Sequence, residues 1–403
     1  MKTRIATALD LARPAGACSV AVFAMMAAAL GGALGAASSA DAAPRVGPAA
    51  PAVAGLALPG PSPRARTAGA NVAAANAACE KCHADIAGEW RGSMHQQAWF
   101  DPVFKEAYDI EPLPFCRSCH APEADAATMP SAEAQAIGVG CTTCHVQQIP
   151  ASHAGSSVGG GKLDVIVGAH GTPAGSPHAV LADARMATKD ACGSCHQFDF
   201  PRVANAPMQD TLAEHEKSKF AATPCQGCHM PERKSADGTS HRSHAFAVIS
   251  DPAMIQSAAT ASAARSGSKG IRVDIAPKGA GHAFPTGDMF RRLEVRAIAI
   301  DPRTGATLSR SEPAHLGRTF GDRAQGPHVM ATDRVEVADT RLSPPGAGGG
   351  TSIELRFPTS VRGAEVRWEL VYQRMSSAMA ASFGVEQARD EVLVARGRLA
   401  PAP

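Results

Sequence analysis

The C-terminal half of the chain alternates apolar and charged positions with period two. "IRVDIAPKG", "RRLEVRAIAI", "TSIELRFP", "AEVRWELVYQ" and "EVLVARGRL" all carry the pattern, separated by Asp-Pro-Arg-Thr-Gly, Pro-Pro-Gly and glycine runs. Alternation of this kind predicts antiparallel strands with one buried and one wetted face, and several across 270–403 predict a β-sandwich-like domain. Ahead of them, "DPAMIQSAATASAARSGSKG" reads as a short helix followed by a flexible connection. Over 71–255 the close spacing of paired cysteines leaves room for short helices and loops but not for a large sheet, and a mostly helical, loop-rich domain is expected. The expected class is therefore α+β.

The N-terminus has a different texture. Lys2, Arg4 and Arg13 precede an apolar run over about 15–37, and Ala-Asp-Ala stands at 40–42. This is the layout of a signal peptide, expected over 1–43, cleaved on export and leaving no membrane span in the mature chain. The competing reading, an uncleaved anchor, is opposed by the glycines in the run and the small residues that end it. The expected location is periplasmic or extracellular. Residues 44–70, rich in Ala, Pro and Gly, read as a disordered linker.

Composition changes the picture in one respect. Aromatic residues are only 4% of the 403, few for a core of this size, so something else supplies bulk in part of the chain. A net charge of +2 makes no case for nucleic acid or a membrane surface as partner.

The cysteines supply the missing bulk. Cys18 falls within the expected signal; the other ten form five pairs, each with two residues between the cysteines and a histidine directly after. They are Cys79, Cys82 and His83; Cys116, Cys119 and His120; Cys141, Cys144 and His145; Cys192, Cys195 and His196; Cys225, Cys228 and His229. Structural zinc uses such pairs two to a metal, and five pairs do not divide that way. Disulfides suit an exported protein but need no adjacent histidine. Covalent haem c needs all three residues, two cysteines for the vinyl groups and the histidine as proximal iron ligand. With 15 histidines in the chain, five such placements by chance have odds on the order of 10⁻⁷. Five covalently bound haem c groups are expected, packed closely because first cysteines lie 37, 25, 51 and 33 residues apart.

What stands opposite each proximal histidine sets the chemistry. A second histidine closes the iron for electron transfer, methionine raises its potential, and an open position admits substrate. Ten histidines remain as candidates, and spacing alone does not choose among them.

Here a resemblance adds information. "CEKCHADIAGEWRGSMH", "SPHAVLADARMATKDACGSCHQF", "MQDTLAEHEKSKFAATPCQGCHMP", "HRSHAF" and "GHAFPTGD" are similar to segments of exported multihaem c-type cytochromes related to the tetrahaem cytochrome of ammonia oxidisers. The resemblance covers about half the chain and implies distal iron ligation by His95, His178, His244 and His282. If 85–99 is helical, His95 points away from the haem of its own motif and serves a neighbour. For the fifth iron, His153, His170, His215 and His241 stay open, as do Met94, Met129, Met208, Met230 and no protein ligand at all.

The expected function is electron carriage between a redox protein donor and a redox protein acceptor. The alternative is a multihaem oxidoreductase with one open iron, acting on a small nitrogen or sulfur compound. No motif has Lys in place of its histidine, as pentahaem nitrite reductases do, and only Tyr108 and Tyr372 are tyrosines. A haem-based sensor lacks a linked signalling domain. The C-terminal domain shows no nucleophile, metal cluster or phosphate loop, so it reads as a cover for the haems that supplies His282, or else as a docking module.

Overall fold

The computed structural model describes residues 72–150, 162–200, 205–249, 251–322, 334–384 and 391–402. The expected signal, the linker, His153 and His328 lie outside them. Eleven helices are described: α1 Val72–Glu80, α2 Ala84–Trp90, α3 Pro102–Ile110, α4 Pro114–His120, α5 Ala132–Ile137, α6 Cys141–His145, α7 Asp190–His196, α8 Thr211–Glu216, α9 Cys225–His229, α10 Pro252–Ser257 and α11 Ser377–Ser382. The strands before α10 are β1 Val146–Pro150, β2 Lys162–Gly168, β3 Leu181–Ala182, β4 Gln197–Asp199, β5 Pro207–Asp210, β6 Glu232–Lys234 and β7 Ser240–Arg242. After it come β8 Ala259–Arg265, β9 Gly270–Pro277, β10 Arg292–Ile300, β11 Thr307–Arg310, β12 Ala314–Asp322, β13 Arg334–Asp339, β14 Thr351–Arg356, β15 Glu365–Gln373 and β16 Glu391–Leu399.

The expectation of a mostly helical first region needs correction. Its helices span only five to nine residues, and three small sheets, β1-β2-β3, β4-β5 and β6-β7, run between them. Among the described residues helix is 27% and strand 31%, so the fold is an even α+β mixture. The physical reason is the motif spacing. Each motif needs one helical turn and no more, and the intervening chain closes its backbone hydrogen bonds by short hairpins instead.

The period-two segments form the strands expected of them. Two antiparallel sheets, one ordered β13-β12-β10-β15-β16 with β11 on β10 and the other β14-β9-β8, face each other. Ile271, Val273 and Ile275 of β9 meet Leu293 and Val295 of β10 and Val366, Trp368 and Leu370 of β15 in one buried core. This is sandwich packing, with alternate side chains turned inward. Two details differ from expectation. The "flexible connection" is β8, whose small residues alternate in burial and pair along the whole of β9. The second face of β10 and β15 is not wet: Glu294 and Glu369 are 6% and 4% exposed, and Gln373 is 0%. Arg296 bridges Glu294, Glu369 and Glu391, while Gln373 donates to Glu391 at 2.7 Å. Burial alone would raise the Glu294 carboxyl. The hydrogen bond to His315 and the nearby Arg296 and Arg292 more than offset it and hold the carboxyl below its ordinary range.

The motif region and the sandwich are bonded to each other. Arg374, just past β15, makes a two-pronged contact with Asp101, its Nη1 at 2.8 Å and Nη2 at 2.6 Å from the two carboxylate oxygens. Both side chains are nearly buried, at 14% and 11% exposure. Asp101 also caps α3 by accepting from the Phe104 amide. Removing one partner of such a pair leaves an unpaired buried charge, which costs roughly 3–5 kcal/mol. We expect Arg374→Ala to lose stability on that scale in denaturant unfolding followed by tryptophan fluorescence. A change below about 1 kcal/mol would contradict the pair's role.

Candidate functional site

A Cys-x-x-Cys-His stretch wound into one helical turn puts positions i, i+3 and i+4 on a single face. All five motifs do this. The second to fifth are helices ending on their histidine, at His120, His145, His196 and His229. In the first, the amides of Cys82 and His83 both bond the Cys79 carbonyl, at 3.2 and 3.0 Å. All ten described cysteines are free, so no disulfide competes. Among the described residues no three His, Cys, Asp or Glu side chains converge as a protein-only metal cage requires.

The histidines meet in pairs. His83 faces His178, His145 faces His244, and His229 faces His282, each with ring centroids 6.2 Å apart; His95 faces His196 at 6.3 Å. These distances are too long for stacking and too regular for accident. One metal between two imidazoles, with metal–nitrogen bonds of about 2 Å and roughly another 1 Å to each ring centre, requires a gap of about 6 Å. The donor set therefore fits an iron held between two histidines at four of the five motifs. All four histidines singled out by resemblance are thus brought opposite a motif histidine. Sequence proximity does not set the pairing: His95, which follows the first motif, faces the histidine of the fourth, and only His282 faces its nearest motif, the fifth.

Ring orientation is built in. His145 donates from Nδ1 to the Val167 carbonyl at 2.9 Å, His244 to Arg242 at 2.7 Å, His282 to Ala283 at 2.9 Å and His120 to Ala98 at 2.6 Å. A proton fixed on Nδ1 leaves the Nε2 lone pair for a metal. Burial pushes the pKa of His95 down to about 3 and those of His196, His229 and His282 to about 4, and lowers His120 and His244 also. All are neutral near pH 7, the form that ligates.

Local chain geometry explains how His95 reaches so far. The helix expected over 85–99 stops at Trp90, because Gly92 takes φ +80°, open to glycine at little cost. The turns beyond it carry His95 away from α2. Gly138, at φ +58°, then lies against this segment; a Cβ there would stand 2.6 Å from the carbonyl oxygens of both His95 and Gln96. Gly138→Ala should displace His95, altering the visible spectrum while leaving covalent haem content unchanged. An unaltered spectrum and unaltered stability would contradict that close approach.

His282 is held from the other side. Phe284 pairs with Leu342 through two backbone bonds of 2.9 and 3.1 Å. Thr286 donates to Glu214 at 2.5 Å, and Arg341 bridges Glu214 and Asp339, each at 2.7 Å. His282 thus lies in the connection between β9 and β10 of the sandwich.

The remaining motif histidine, His120 of the second motif, differs. Among the described residues no imidazole faces it; Phe104 instead stacks flat on its ring, with centroids 3.6 Å apart. His170 is exposed. His215 is buried beside Gly281 on the His282 side. His241 bonds Ser235 and pairs with Glu89, and His315 bonds Glu294. Met129 is exposed with its sulfur 3.9 Å from the Tyr108 hydroxyl.

Several supporting residues carry no sequence signal strong enough to single them out. Phe246 sits at φ +45°, a strained setting for an aromatic residue, and lays its ring against both His95 and His244, at 4.2 and 5.8 Å. The "HRSHAF" stretch shows it two residues after His244 but not its backbone. Asn76 is fully buried and accepts from the Cys141 amide at 2.8 Å, tying the first motif to the third. Glu89 accepts from the His244 amide at 2.8 Å.

The motifs also touch one another. Cys79 lies beside Cys141, Cys119 beside Cys195 and Cys192 beside Cys225, and Cys144 lies within electrostatic range of Cys192. The fourth motif is thus in contact with the second and fifth and beside the third, which in turn touches the first.

Five paired-cysteine turns, four of them with an opposed imidazole, are similar to the haem sites of multihaem c-type cytochromes. Residues 78–146 match the family described as "Cytochrome c554 and c-prime". The chain shares its fold with the penta-heme cytochrome c552 from Thermochromatium tepidum, at 24% identity and a TM-score of 0.61, over 80% of this chain and 97% of that one. No curated protein matches it. No described helix is long and apolar enough to cross a membrane.

Proposed function

We propose that the chain is an exported cytochrome carrying five covalent haem c groups, which passes electrons between redox protein partners in the periplasm or outside the cell. Cys79, Cys82, Cys116, Cys119, Cys141, Cys144, Cys192, Cys195, Cys225 and Cys228 hold the groups by thioether bonds. His83, His120, His145, His196 and His229 ligate on the proximal side; His178, His244, His95 and His282 close the first, third, fourth and fifth irons. Bound in this way, each haem supplies a one-electron iron couple. The protein's own part is to hold the imidazoles neutral, fix their tautomer through carbonyl acceptors, and crowd the motifs so that neighbours exchange electrons.

The observation that carries this reading is the set of four histidine pairs spaced 6.2–6.3 Å. Electron paramagnetic resonance of the oxidised protein tests it: low-spin signals should dominate at about four-fifths of the iron. A predominantly high-spin spectrum would overturn it.

His120 supports a second reading. With no opposing imidazole among the described residues, the second iron is the one suited to bind a small nitrogen or sulfur compound. A high-spin fraction near one-fifth, with carbon monoxide binding to the reduced protein at that stoichiometry, favours it. An all-low-spin protein indifferent to carbon monoxide excludes it.

A further inference from the structure

The surface outside the second motif differs from the rest of the molecule in both charge and polarity. Ile110, at the end of α3, is 68% exposed, and Met129 is 61% exposed. They are not scattered, because the Met129 sulfur lies 3.9 Å from the hydroxyl of Tyr108, two residues before Ile110. Beneath them Trp99, Tyr108 and Ala121 form a small buried cluster, joined by Phe104 and by Cys116 of the second motif. Phe104 stacks on both Tyr108 and His120. The patch is therefore the outer end of the packing that begins on the second motif's histidine.

Carboxylates surround it. Glu106 and Asp109 lie on α3, Asp125 opens the turn that carries Met129, and Glu133 stands in the first turn of α5. From 101 to 140 the chain has seven acidic residues against Lys105 and Arg117, a net charge of −5 along this segment, of which Asp101 is paired with Arg374 and Glu111 and Glu123 are buried, so that Glu106, Asp109, Asp125 and Glu133 are the carboxylates left to face solvent. The chain as a whole is +2, so everything outside this segment sums to +7. Lys105, a cation on this face, is taken up by Asp109 at 2.9 Å and by the Trp99 and Tyr108 rings.

An apolar centre ringed by one sign of charge is the layout of a transient docking surface. The ring steers the encounter and sets orientation, and the centre excludes water over a small contact. We propose that this face, centred on Ile110 and Met129, docks a basic redox protein whose exposed cofactor edge is ringed by lysines. The second haem is then the electron port for that partner. One electron leaves a ferrous haem of this chain, which becomes ferric, and reduces the partner's ferric centre to ferrous. This rests on the electron-transfer reading above and adds the site and the chemistry of the partner.

The test uses the full holoprotein, reduced with dithionite and mixed in stopped flow with a ferric, strongly basic monohaem cytochrome c. An acidic monohaem cytochrome of similar potential is the comparison, and a small uncharged quinone is the independent acceptor. Electron transfer to the basic probe should be at least about tenfold faster than to the acidic one at low salt, and should fall steeply as salt rises. The triple variant Asp109→Lys, Asp125→Lys, Glu133→Lys should lose that advantage and flatten the salt dependence, with the milder Asn and Gln replacements between. The same reversal at exposed Glu312 and Glu354 should change little. Haem content and quinone oxidation should stay as in the parent for every variant.

Equal effects from the two sets of reversals, or no preference for the basic probe, would overturn the docking face. So would a change in sedimentation on reversal at Asp109, Asp125 and Glu133, since the face would then join copies of this chain. Failure to reduce the quinone as well would instead defeat the electron-transfer reading itself.

Discussion

Covalent haem content should fall from five to four per chain in the Cys192→Ala, Cys195→Ala variant, and electron redistribution among the remaining haems should slow more than in any other single-motif deletion. The first half follows from the thioether chemistry of the motif. The second follows from position. Cys195 lies beside Cys119, Cys192 beside Cys225, and Cys144 near Cys192, so the fourth motif is the one that the second, third and fifth all adjoin. The matching double substitution at Cys79 and Cys82 also removes one haem, but from an end of the array, since Cys79 reaches only Cys141. Pyridine haemochrome gives the content, and flash or stopped-flow reduction gives the redistribution. Equal slowing by both deletions would show that the contacts between motifs do not set the route.

The second large effect concerns His95. His95→Ala should convert the haem attached at Cys192 and Cys195 from low spin to high spin and raise its potential, with the haem attached at Cys79 and Cys82 unaffected. The pairing of His95 with His196, and not with His83, dictates which haem responds. About one-fifth of the iron should change spin state, read by electron paramagnetic resonance, and carbon monoxide should gain one binding site per chain. His170→Ala, at an exposed histidine that faces no motif, is the control and should change nothing. An unchanged spectrum in His95→Ala would remove His95 from the set of ligands.

Much of this was legible before any coordinates. The five motifs are local patterns whose geometry is complete within one helical turn, so spacing alone reveals them. Strands β9, β10, β14, β15 and β16 announced themselves because one face is apolar at every second residue. The four partner histidines were visible only through resemblance, and their assignment was not visible at all. Which histidine meets which motif depends on where Gly92 ends α2, how Gly138 packs under His95, and how Phe284 and Arg341 anchor the His282 loop. None of these is a local pattern.

The misreadings have the same source. β8 was passed over because Ala, Thr and Ser alternate too weakly to register as apolar and polar, yet seven residues pair along β9. Glu294 and Glu369 were read as a solvent face because period two reports alternation and not what covers the second side. The short sheets of the motif region fall below the length at which period two can be recognised, and so that region looked more helical than it is.

The most direct measurement is covalent haem per chain, by pyridine haemochrome against protein mass and by the intact mass of the purified protein. Five haems per chain is the expected result. Four or fewer, with all ten of the paired cysteines present, would contradict the five-haem array on which the electron route depends.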